Sequence, residues 1–86
     1  MAQPSKRAAP SSQKQGKDPE LVALGHRLLE LREAADMTQE ALGHAADLHW
    51  TYVGQIERGE RNLSYKNLLK LARGLGLSPA ELLPRR

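Results

Sequence analysis

A chain of 86 residues, 40% of them hydrophobic, has room for one compact domain of modest stability and no second core. Cysteine is absent, which excludes a disulfide framework, a thiolate metal site and a cysteine nucleophile. The formal charge of +3 is unevenly placed: Lys6, Arg7, Lys14 and Lys17 meet no acid before residue 18, while the remaining 69 residues carry nine basic against ten acidic side chains, so bulk basicity excludes nothing and proves nothing about a nucleic-acid partner.

Residues 1–18 are rich in Pro, Ser, Gln, Ala and Lys and hold no large apolar residue after Met1, so they read as a disordered basic tail ahead of a domain over residues 19–86. Such a tail serves either as an arm for DNA phosphate or a minor groove, or as a solubilising extension. Asp18-Pro19 opens the first helix, over residues 19–35, with an acceptor for free N–H groups and a proline that needs no donor. Leu21, Leu24, Leu28, Leu31 and Ala35 recur every three or four residues and are expected on its core face.

Thr38 caps a second helix over residues 39–46, where Gly43 predicts close approach by another helix. Asp47-Leu48 makes the turn, and a third helix runs over residues 50–58 to the stop at Gly59. In it Val53 and Ile56 are expected inside, with Trp50, Thr51, Gly54, Gln55 and Arg58 outside. Ser64 caps a fourth helix over residues 65–75 carrying the apolar stripe Leu68, Leu69, Leu71, Ala72 and Leu75. Ser78-Pro79-Ala80-Glu81 starts a fifth of one or two turns through a capping box, with Leu82 and Leu83 before Pro84. No alternating β-branched segment exists, so the expected fold class is all-α, a five-helix bundle.

Two short helices joined by a tight turn, the second with an exposed polar face, form the minimal device for reading a major groove. Leu42, Ala46, Leu48, Val53 and Ile56 are expected to lock the pair together. A generic helical bundle fits the same pattern. The stretch over residues 24–83 resembles the Cro/repressor-type, or Xre, helix-turn-helix domain of the lambda-repressor-like fold. The resemblance rests on Leu31-Arg32, Met37-Thr38-Gln39-Glu40-Ala41-Leu42, Tyr52-Val53, Ile56-Glu57-Arg58-Gly59, Arg61-Asn62, Leu68-Leu69-Lys70-Leu71-Ala72 and Leu75-Gly76. The run from Thr51 to Ser64 is similar to restriction-modification controller proteins.

That resemblance implies a bacterial, sequence-specific DNA-binding transcriptional regulator. Its partners would be double-stranded DNA with a palindromic operator, bound as a homodimer, and no cofactor is expected. Gln39 matches a position that contacts phosphate and braces the recognition helix, against the plainer reading of an exposed first-turn glutamine. Trp50, Thr51 and Gln55 match outward positions that meet base edges; glutamine suits adenine and threonine a thymine methyl. Tyr52 matches a position lying along the DNA backbone, and half-burial between helices is the alternative. Arg58, Arg61 and Asn62 stand where related proteins hold phosphate. Glu57 and Arg32 match a structural ion pair between the third and first helices. His49 replaces the usual Ser, Thr or Asp cap and belongs to the same candidate DNA-binding set, Asp47 replaces a usual glycine, and Trp50 stands where arginine is common, so the operator does not transfer from relatives.

The competing expectation is a protein-interaction module, antitoxin-like or bridging, which the near-neutral folded part favours. His26, His44 and His49 lack a zinc spacing and no serine has a histidine beside it, so neither metal nor catalysis is expected. The lack of a long apolar segment or apolar leader suggests a cytoplasmic protein with no membrane partner. A dimer patch is expected around Leu77, Leu82 and Leu83.

Overall fold

Each α-helix among the described residues begins at a residue whose side chain satisfies a backbone donor left free by helix geometry. The computed structural model describes residues 18–84. Within them α1 spans Pro19–Ala34, α2 Gln39–Ala46, α3 Trp50–Glu57 and α4 Tyr65–Leu75, followed by a 3₁₀ turn at Pro79–Leu82. Asp18, Thr38, His49 and Ser64 accept from the amides of Glu20, Ala41, Thr51 and Asn67 at 2.9 to 3.1 Å. The basic tail expected over residues 1–18 lies outside the described residues except for Asp18.

Among the described residues the all-α expectation holds with no strand, and there are four α-helices and not five. The fifth element stops after one 3₁₀ turn because Leu83 precedes Pro84, whose ring disfavours helical dihedrals at the residue before it; Leu83 is extended at φ −76°, ψ 139°. The Glu81 carboxylate accepts from the Ser78 amide and hydroxyl, both at 3.1 Å, and secures that turn.

The core is built from Leu28 of α1, Leu42 and Ala46 of α2, Val53 and Ile56 of α3, Leu71 and Ala72 of α4, and Leu82 of the turn, none more than 1% exposed. α2 packs on both α3 and α4, α1 packs on α3, and the 3₁₀ turn closes over α4 and α1. Burial of Leu82 corrects its assignment to a dimer patch. The α1 stripe is also narrower than its periodicity predicts. Leu28 is fully buried and Leu31 packs at the margin, Leu21 and Leu24 are half-buried, and Ala35 is an exposed cap. In their place Gly25 is buried, because a Cβ there would stand 2.4 Å from the carbonyl oxygen of Ile56. α3 therefore crosses α1 at backbone contact, which only glycine permits.

Candidate nucleic-acid interface

The two-helix unit of α2 and α3 is set by backbone constraints before any side chain faces solvent. Asp47 ends α2 in the left-handed region at φ 60°, ψ 46°, and the Leu48 amide returns to the Gly43 carbonyl at 2.8 Å. A Cβ at Gly43 would lie 2.6 Å from the Leu48 carbonyl and 3.2 Å from the Trp50 Cα. The close approach expected at Gly43 thus exists, but its partner is the turn and the first residue of α3. Leu42, Ala46, Val53 and Ile56 lock the pair as expected, with Leu48 at the margin.

Beneath the unit lies a polar network that holds both helices to α1. Arg32 donates from Nε and Nη2 to the two carboxylate oxygens of Glu57 at 2.6 and 3.1 Å, and from Nη1 to the Met37 carbonyl at 2.8 Å. Glu57 is 7% exposed. This bidentate bond holds the Arg32 guanidinium above its ordinary range despite the opposing effect of burial, so the cation persists at any working pH. Gln39 donates to the same carboxylate at 2.9 Å. A Cβ at Gly54 would meet Arg58 Nη1 at 3.1 Å and the Gln39 side chain at 3.3 Å, so both side chains lie over that glycine. Gly54 is buried, not outward-facing as expected, because these two polar side chains cover it.

Above this base the start of α3 is exposed and already ordered by its own bonds. The His49 Nδ1 accepts from the Thr51 amide at 3.1 Å and stands 2.7 Å from the Thr51 hydroxyl. Accepting an amide proton requires a bare Nδ1. Trp50 stacks on the His49 ring with centroids 5.9 Å apart and is 46% exposed.

At the other end of α3, Arg61 donates to the Gln55 amide oxygen at 3.3 Å and lies 5.3 Å over the Tyr52 ring. The Tyr52 hydroxyl accepts from Asn67 Nδ2 at 3.0 Å. Tyr52 is half-buried against the core, and accepting from Asn67 leaves its own O–H as a donor. Arg58 is paired with Glu60 through two bonds of 3.0 and 3.2 Å, which hold its guanidinium above its ordinary range. Asn62 accepts from the Leu63 amide at 2.7 Å and turns the chain toward α4.

The fold and the site geometry meet one further observation: the family model for helix-turn-helix proteins, HTH_3, matches residues 28–82. The chain belongs to the helix-turn-helix family. Its helix-turn-helix core is α2–turn–α3. The chain is 42% identical over 63 residues to the control protein C.BamHI of Bacillus amyloliquefaciens, covering 72% of this chain and 78% of that one. It is 42% identical over 62 residues to the control protein C.MunI of a Mycoplasma species, covering 71% and 84% respectively. The crystal structure of the restriction-modification controller protein C.AhdI from Aeromonas hydrophila superposes with a TM-score of 0.76 at 47% identity, over 77% of this chain and all of that one.

The helix-turn-helix geometry sorts the nine residues singled out in the sequence into contacting groups. Gln39 and Arg58 lie together over Gly54, His49, Trp50 and Thr51 form a second group, and Tyr52, Gln55 and Arg61 a third, with Asn62 in the loop after Arg61. Sequence reasoning missed Asn67, which bonds Tyr52, and Glu60, which pairs with Arg58. The signal for Glu60 was present as a charge two residues after Arg58. Asn67 lies 15 positions from Tyr52, and no local pattern links them. Among the described residues no group of three His, Asp or Glu side chains could hold a metal ion, and no helix is long and apolar enough to cross a membrane.

Proposed function

We propose that the protein is a sequence-specific DNA-binding transcriptional regulator that enters the major groove with the start of α3, acts without catalysis or cofactor, and works in the cytoplasm. The observation that carries this reading is the row His49, Trp50 and Thr51, exposed and ordered by the His49–Thr51 bonds and the His49–Trp50 stack, with half-buried Gln55 held by Arg61, on a helix whose buried side is locked to α1 through Glu57 and Arg32. An ordered polar face on a rigid support suits base-edge recognition, since little side-chain entropy remains to be lost on binding. Gln39, Arg58, Arg61, Asn62 and Tyr52 supply donors around it for phosphate and sugar, which position the helix and carry no sequence information. Relatives described as control proteins support the same reading.

A homodimer on an inverted repeat follows from the size of one α3, which spans few base pairs; two copies related by a twofold would place their helices about 34 Å apart, one turn of duplex. Leu83, 50% exposed, is the centre of the proposed dimer surface, with half-buried Leu77 six residues before it and Leu82 removed to the core. The test is selection from a random duplex library near 0.15 M salt, the physiological ionic strength. An enriched inverted repeat is expected. A library that stays random would overturn the reading and direct attention to a protein partner.

A further inference from the structure

Trp50 is one of three large hydrophobic side chains exposed among the described residues, with Tyr65 and Leu83, and it stands at the first position of α3. Indole offers a single N–H donor and no acceptor, so it cannot make the paired hydrogen bonds that identify guanine or adenine. The one apolar group that base pairs display in the major groove is the C5 methyl of a pyrimidine. The ring is also held in place. One side stacks on His49, whose Nδ1 is tied to the Thr51 amide and hydroxyl, and the backbone beneath Trp50 rests against Gly43.

We propose that Trp50 is a specificity-determining residue that recognises the C5 methyl group of a pyrimidine, with His49 as its positioning residue. The assignment rests on the DNA-binding reading above and names the chemistry that reading leaves open at this position. Thymine and 5-methylcytosine carry the same methyl, so operator affinity responds to base identity or to cytosine methylation at one position in each half-site.

On the operator recovered by selection, each thymine is replaced singly by deoxyuridine and each cytosine singly by 5-methylcytosine, and Kd is measured by titration. At one position deoxyuridine is expected to weaken binding about fourfold if the native base is thymine, or 5-methylcytosine to strengthen it about fourfold if it is cytosine, the equivalent of one buried methyl at about 0.8 kcal/mol. Trp50→Ala abolishes that ratio. His49→Ser, which keeps a cap and removes the stack, lowers the ratio while leaving the melting temperature in place. An operator indifferent to every C5 methyl overturns the assignment alone, as does a methyl response that survives Trp50→Ala. A library with no enriched operator overturns the DNA-binding reading and this assignment together.

Discussion

Glu57 is the residue on which the support of the interface converges, because its two carboxylate oxygens serve three donors from α1 and α2. Its removal leaves the Arg32 cation, whose side chain is 13% exposed, without a counter-charge. Glu57→Ala is expected to lose about 3 to 5 kcal/mol, read as a fall in the melting temperature by circular dichroism. At the opposite extreme of exposure, Arg61 engages neutral groups, the Gln55 amide and the Tyr52 ring, whereas Arg58 must release Glu60 before it meets a phosphate. Arg61→Ala is therefore expected to weaken binding to every sequence more than Arg58→Ala does, and to lower the slope of log K against log salt by about one. Gln55→Ala is expected instead to cost about 1 to 3 kcal/mol at a single base position. Uniform losses from both Arg61→Ala and Gln55→Ala would remove Gln55 from base recognition.

At the scale of the element, the α2–α3 turn sets two local preferences against tertiary fit. Alanine at position 43 gains about 1 kcal/mol of helix propensity over glycine, yet its Cβ would stand 2.6 Å from the Leu48 carbonyl. Gly43→Ala is expected to destabilise despite the propensity gain, because the obstacle is backbone and cannot rotate away. Asp47 has the reverse problem, a left-handed conformation at φ 60° that a side chain tolerates at a cost. Asp47→Gly is expected to raise stability by about 0.5 kcal/mol and Asp47→Val to lower it by more than 1 kcal/mol, with both differences taken from urea unfolding midpoints. If Gly43→Ala were the more stable protein, the close approach of the turn to α2 would be wrong.

For the whole molecule, the burial available to so short a chain leaves little stability in reserve. Covering Leu83 in a twofold dimer would add apolar burial and fix the separation of the two α3 helices in one step. Leu83→Glu is expected to abolish any concentration dependence of the sedimentation coefficient and to weaken binding to an inverted repeat, while the melting temperature of the monomer is unchanged because residue 83 lies outside the core. Retention of the dimer in Leu83→Glu would place the contact elsewhere.

The order and type of the helices were legible in the sequence because capping residues and apolar periodicity act within a few positions: Thr38, Ser64 and the stripe of α4 mark their elements without help from the fold. The pairing of Arg32 with Glu57 could also be anticipated through family resemblance, and the outward placement of Trp50 and Thr51 on α3 through helix spacing. Tertiary structure alone decided that Gly25 and Gly54 are buried, that Leu82 belongs to the core, that Gln39 joins Glu57, and that Asn67 holds Tyr52. Each of these depends on which surfaces of distant segments meet. A periodicity marks an apolar face but not how much of it a neighbour covers, and hydrogen bonds between residues 15 or 18 positions apart leave no mark in the intervening chain.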